Sequence, residues 1–211
     1  MDEKFEKIYR MIERNQNTRR RNQSSGGAAS PLLTGLVAYY KLENTVDEVG
    51  GHTLTATNGP TVVAARVNNG YLVDTLATSY LTTATHADFN LGSTDLTIVL
   101  WFKPTAANVG QSLMGKWNFP GGDMEYLLQI STAGTQDWYV RKADNSDNVL
   151  VSLATSLNVD AWYMFIVDVD HANDITSICV NAATPPITAA WTTTGRSGSS
   201  PFDIGGNTAA L

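Results

Sequence analysis

Apolar and polar positions alternate along the chain from residue 32 onward. The clearest case is Leu96–Lys103. Leu96, Ile98, Leu100 and Phe102 fall on one face, and Thr97, Val99, Trp101 and Lys103 on the other. A period of two marks a strand, and aromatic residues on both faces predict one covered on both sides. Pro104, which has no amide hydrogen to donate, ends that ladder. The same reading predicts strands over Leu36–Leu42, His52–Thr57, Gly70–Asp74, Tyr80–Thr83, Ser112–Trp117, Glu125–Ser131, Asp137–Arg141, Val149–Leu153, Trp162–Val169 and Thr176–Val180, with a short one near Phe202–Ile204. GG, NG, NN, GST, PGG and DNSD turn signals separate them. No stretch of the body keeps a 3.6-residue period over three turns. The body, residues 32–211, is therefore predicted to be all-β. Its strands must each bury one face, which makes a two-sheet antiparallel jelly-roll sandwich. Leu36, Ala38, Tyr40, Leu96, Ile98, Leu100, Phe102, Tyr163, Phe165, Val167, Ile178 and Val180 are the expected core.

The first residues follow a different period. Phe5, Ile8, Tyr9 and Ile12 recur at helical spacing and predict a short amphipathic helix over residues 2–14. Glu3 with Lys7, and Glu6 with Arg10, are favourable i,i+4 pairs. A helix this short is unstable alone in water, so its stripe calls for a partner. The stretch that follows, NQNTRRRNQSSGGAAS, holds no apolar residue larger than Ala. Its end, residues 23–31, reads as a flexible linker. Residues 1–22 are thus expected to anchor or oligomerise the chain, most simply as a homotrimer. Arg19, Arg20 and Arg21 are available to an acidic partner.

Charge sharpens this division. Residues 1–22 carry seven Lys/Arg against four Asp/Glu, a net of +3, while the body carries seven against sixteen, a net of −9. An acidic body argues against nucleic-acid binding by the main domain. No apolar run reaches the roughly 18 residues that span a bilayer. The opening MDEKFEKIYRMIERN has no uninterrupted apolar stretch, which reads against a secretory leader. The single cysteine, Cys179, falls in a predicted strand and is expected to be a buried, inert thiol.

Six segments in order carry a family resemblance: Gly35–Gly59 (GLVAYYKLENTVDEVGGHTLTATNG), Leu96–Pro104 (LTIVLWFKP), Leu113–Trp117 (LMGKW), Leu157–Asp170 (LNVDAWYMFIVDVD), Ile175–Ala182 (ITSICVNA) and Phe202–Asn207 (FDIGGN). Together they resemble a laminin-G-like domain of the concanavalin-A-like lectin/glucanase superfamily. The resemblance implies a concanavalin-A-like sandwich. Two departures stand out. The family's V-N-G hairpin is Val180-Asn181-Ala182 here. The family pattern also runs past I-G-G-N into a further strand that pairs with the opening one, whereas this sequence reads to Leu211. An open edge at Leu36–Leu42, or a partner that supplies the strand, is the expectation.

Catalytic chemistry is hard to find. Retaining glycosidases of the superfamily need two carboxylates about 5 Å apart, set in E-x-D-x-x-E or E-x-D-x-E. The nearest approach is Asp123-Met124-Glu125, whose carboxylates would share a face. It reads as a solvated strand start. His52, His86 and His171 show neither metal-ligand spacing nor a triad around them. No enzyme activity is expected. The resemblance implies calcium as a possible cofactor, with Asp47 of the D-E-V-G-G-H turn as its ligand, near Glu43 and Glu48. Asp144/Asp147 and Asp168/Asp170/Asp174 are further candidates. For glycans, the resemblance points to aromatic platforms near turns, namely Trp117, Trp138, Tyr139 and Trp191. Trp101 and Trp162 lie inside strands and read as core.

Three functions compete on these grounds. The first is a non-enzymatic virion structural module, a head decoration or a tail or fibre protein. It would be held by its N-terminus to other virion proteins and would meet host surface glycans outside the cell. The second is a secreted or surface carbohydrate-binding adhesion protein. The third is a diverged glycoside hydrolase.

Overall fold

The computed structural model describes residues 35–73, 79–107, 109–118, 122–141, 148–181, 186–191 and 194–205. The expected N-terminal helix with Phe5, Ile8, Tyr9 and Ile12, the arginines Arg19, Arg20 and Arg21, and the acids Asp144 and Asp147 lie outside the described residues.

The body is an antiparallel sandwich. In chain order the strands are β1 (Thr55–Thr57), β2 (Thr61–Ala64), β3 (Asn69–Leu72), β4 (Tyr80–Thr82), β5 (Leu96–Phe102), β6 (Gln111–Asn118), β7 (Asp123–Ile130), β8 (Gln136–Arg141), β9 (Asn148–Leu153), β10 (Tyr163–Asp170), β11 (Ile175–Val180), β12 (Ile187–Ala190) and β13 (Asp203–Ile204). One sheet has seven strands in the order β1-β4-β13-β6-β7-β8-β9, and a second has four in the order β12-β11-β10-β5. The hairpin of β2 and β3 stands apart. Arg66 in its turn lies 3.8 Å over the Trp101 ring, and Val73 after it packs on Gly205, so the hairpin ties into both sheets on the β5 side.

Alternation places the core. Tyr126, Leu128, Ile130, Trp138 and Val140 point inward from the large sheet, and Phe165, Val167, Val169, Ile178 and Val180 from the small one. Leu96, Ile98, Leu100 and Phe102 pack against them at partial burial. Each fully buried large side chain contributes about 1.5–3 kcal/mol. Trp138 also bridges the sheets, its Nε1 donating to Thr176 Oγ1 at 2.8 Å. Cys179 is buried on the other face of the small sheet with Met164 and Ile166, where half-buried Trp101 covers them.

The opening segment departs from expectation. Leu36–Leu42 forms no regular strand, and Leu36 is 38% exposed. Among the described residues, its one pairing is an isolated antiparallel bridge between Tyr40 and Asp47. The reason is local. The Tyr39 N–H donates to Asp47 Oδ1 and the Tyr39 carbonyl accepts from Glu48 N–H, so the nearby turn takes groups a ladder would use. Leu42 then adopts a left-handed φ of +60°, which ends the extended path. β2 and β12 were not foreseen either. Both lie beside a proline and are largely exposed, so neither shows a buried alternating face. Among the described residues, no helix is long and apolar enough to cross a membrane.

Candidate functional site

The outer face of the seven-stranded sheet brings together aromatic and polar side chains. Tyr126, Leu128, Trp138 and Val140 point inward, so their strand neighbours Leu127, Gln129, Asp137 and Tyr139 point outward. Trp117 of β6 reaches the same face, with its ring 5.8 Å from that of Tyr139 at an angle of 51°. Both rings are half-buried. Gln129 Nε2 donates to the Tyr139 hydroxyl at 3.5 Å, and Ser152 Oγ donates to Asp137 Oδ1 at 2.7 Å. Burial, and then the charge and hydrogen bond of Asp137, raise the Tyr139 hydroxyl above its ordinary pKa. That hydroxyl therefore stays a neutral donor and acceptor. Among the described residues, Trp117 Nε1 is buried without a hydrogen-bond partner.

Asp203 extends the row. It pairs with Gly115, which pairs with Leu127, which pairs with Tyr139. Burial pushes the Asp203 carboxyl up to about 6, against the pull of a Thr82 hydrogen bond. Its Oδ1 has no hydrogen-bond partner among the described residues. The two half-buried rings and the Tyr139 and Ser152 hydroxyls, held from beneath by buried Gln129 and Asp137, can stack on the apolar face of a ring and bond its hydroxyls.

Two of the aromatic candidates are corrected. Trp138 and Trp191 are 0% exposed and belong to the core. Trp138 and Tyr139 are adjacent in one strand, so they cannot share a face. Trp191 is packed edge-on to His171, with ring centroids 6.1 Å apart. Gln129, Asp137 and Ser152 were missed. Counting back two and across one from Tyr139 would have placed Asp137 and Gln129 on its face.

The Asp47 turn also reads differently in three dimensions. Asp47 Oδ1 accepts from the Tyr39 and Val49 amides, and Oδ2 from those of Gly50 and His52. Burial alone would raise its carboxyl, but the four amide donors hold it below 3.8. The four amides engage both carboxylate oxygens, so Asp47 organises the turn. Its neighbours are engaged as well, Glu43 with Asn68 and Glu48 with Lys41. Asp168 accepts from Thr97 Oγ1 and Asp170 from Asn173.

Asp123 and Glu125 are not solvated. The register steps between Lys116 and Trp117, leaving Glu125 as an extra residue on β7. This bulge re-aims its side chain to Lys116 Nζ, 2.7 Å away, with both side chains 0% exposed. Glu125 also accepts the amides of Leu91 and Gly198, while Asp123 accepts the amide and hydroxyl of Ser199. The two acids clasp one loop, and their oxygens face protein donors.

The laminin G model of the concanavalin A-like lectin/glucanases superfamily matches residues 75–210. The chain belongs to this superfamily. Solved structures of the same fold include the binding domain of Paraclostridial Mosquitocidal Protein 1, at 14% identity and a TM-score of 0.67, covering 84% of this chain and 46% of that one. Domain 4 of AbnA, an extracellular arabinanase from Geobacillus stearothermophilus solved in complex with arabinotriose, gives 14% identity and a TM-score of 0.61 over 82% of this chain and 84% of that one. The receptor binding domain of botulinum neurotoxin mosaic serotype C/D gives 10% and 0.56 over 77% of this chain and 41% of that one. The chain thus spans less than half the length of the mosquitocidal-protein and neurotoxin domains. Among curated proteins, none matches it.

Proposed function

We propose that this sandwich is a non-catalytic glycan-recognising module that uses the outer face of its seven-stranded sheet. The observation that carries the reading is the Trp117–Tyr139 pair, 5.8 Å apart, flanked by Asp137, Gln129 and Ser152. The rings supply the apolar platform and the flanking groups orient hydroxyls. Domain 4 of AbnA, which shares the fold, was solved with arabinotriose, so a saccharide is a ligand such a sandwich can hold. The involvement of Asp123 and Glu125 in a loop clasp supports the non-catalytic part. Calorimetric titration against a panel of plant and host oligosaccharides tests the proposal. Trp117→Ala and Tyr139→Ala should each strongly weaken the binding seen with the parent chain. Equal binding by both variants, or release of reducing sugar by the parent, refutes it.

The finer reading is that the module decorates a virion surface, as a head or tail component attached through residues 1–22. The apolar stripe Phe5, Ile8, Tyr9 and Ile12, followed by Arg19, Arg20 and Arg21, supports it. Deleting residues 1–22 should leave a folded sandwich that neither oligomerises nor attaches to particles. Retained assembly and attachment refute the anchor.

A further inference from the structure

We propose that His52, His86 and Asp88 form a binding site for a divalent transition-metal ion of the zinc class. The donor atoms of these three side chains all lie within 4.8 Å of one another. His52 Nε2 is 3.2 Å from Asp88 Oδ2, and His86 Nδ1 is 3.4 Å from the same oxygen. A tetrahedral site with bonds of about 2.0–2.1 Å sets its ligand atoms about 3.3–3.4 Å apart. Both imidazole–carboxylate spacings therefore already match those around a coordinated ion, and the two imidazoles lie close enough to close on it.

A second observation points the same way. The His52 side chain is only 9% exposed, and among the described residues its buried Nε2 finds no hydrogen-bond partner, although it faces the Asp88 carboxylate. A buried polar nitrogen without a partner is costly, and a cation between it and the carboxylate removes that cost. Two imidazoles and one carboxylate suit zinc, nickel or copper rather than calcium, which prefers an all-oxygen shell.

The ligands are held before any ion arrives. The His52 amide donates to Asp47 Oδ2 and its carbonyl accepts from the Tyr40 hydroxyl. Its ring meets Phe89 edge-on at 4.8 Å and His86 at 4.4 Å. Gly50 packs flush against it, since a Cβ there would come within 2.7 Å of the ring. Asp88 sits in the 3-10 turn Ala87–Phe89, pinned by the buried Phe89 ring. The Asp88 amide makes a long hydrogen bond of 3.2 Å to His86 Nδ1, which gives way to the metal if that nitrogen coordinates. Three protein ligands leave a fourth position for water or for a carboxylate or hydroxyl of another molecule. The ion would lock the irregular segment around Asp47 to the turn that leads into the core.

Zinc alone, titrated into the full chain, tests the site. One equivalent should bind and raise the melting temperature, and cobalt in its place should give the intense visible bands of tetrahedral coordination. His86→Ala and Asp88→Asn alter half-exposed side chains and should keep the far-ultraviolet circular dichroism of the parent. Each should weaken zinc binding by at least about tenfold. His171→Ala should bind as the parent does. Calcium at about 1 mM should not displace the zinc. The proposal is overturned if saturable zinc uptake is missing below about 100 μM, if both variants keep parental affinity, or if calcium competes.

Discussion

Lys116 Nζ lies 2.7 Å from Glu125 Oε1, and neither side chain reaches solvent. The pair is completed by Asn90 Oδ1 on the lysine and by the Leu91 and Gly198 amides on the carboxylate. Removing one member leaves the other charge buried and uncompensated, which costs about 3–5 kcal/mol. Lys116→Met alone should therefore lower stability by that amount in urea unfolding. The double variant Lys116→Met with Glu125→Leu should recover part of the loss. A double variant as unstable as the sum of the singles would show that the two charges are not coupled.

Gly198 is where the two acids converge. A Cβ there would lie 2.0 Å from Asp123 Oδ1 and 3.2 Å from Glu125 Oε1. Gly198→Ala should break the clasp and destabilise the protein by about 1–3 kcal/mol, the usual cost of overpacking. Gly122, with φ of +76° and open space around its missing Cβ, offers a contrast. Gly122→Ala should cost only the backbone strain, about 1–2 kcal/mol, and should leave the Asp123 contacts in place. Thermal unfolding of both variants reads the difference.

Trp117 and Trp138 should behave as opposites. Trp138→Ala empties a fully buried site and removes the Thr176 bond, costing about 3–5 kcal/mol of stability. Trp117→Ala should lower stability less while removing on the order of 2 kcal/mol of glycan affinity. Denaturation and titration on the same preparations separate the two effects.

Stability should depend on pH with two signs. The Asp203 carboxyl is raised from 3.8 to about 6 in the fold, so the folded state holds this proton more tightly than the unfolded one. Its contribution is favourable below about pH 4 and is lost as pH rises through about 6. Asp203→Asn should flatten that slope and stabilise the protein at pH 7 by about 1–3 kcal/mol. Asp47 and Asp123 work the other way. Burial raises both, but amide donors on Asp47 outweigh it, as do Ser199, Ser200 and Arg196 on Asp123, so both carboxyls fall below 3.8. Their stabilisation is present above pH 3.8 and is lost as pH falls through their folded-state values. Urea midpoints from pH 3 to 8 for Asp203→Asn and Asp47→Asn should tilt in opposite directions.

Much of the fold was written in local pattern. The alternation at Leu96–Phe102, and at Tyr163–Asp170, fixes which side chains face the core because a strand turns over every residue. The same rule could have separated Trp138 from Tyr139. The ordered motifs from Gly35 to Asn207 pointed to the superfamily. Leu36–Leu42 shows the limit of this reading. Its alternation is real, but the Asp47 carboxylate and Glu48 amide, reached across a turn, occupy Tyr39 before a neighbouring strand can.

What the sequence determined by itself is therefore the all-β class, the strand faces and the acidic body behind a basic N-terminal segment. Each depends on neighbours a few residues apart. Only the tertiary structure decided that Trp117 meets Tyr139, that the bulge turns Glu125 inward to Lys116, and that His52 meets His86 and Asp88. These contacts join residues of different strands and turns. Their geometry comes from sheet register, a one-residue bulge and the packing of Phe89 against Phe202, none of which leaves a periodic trace in the order of residues.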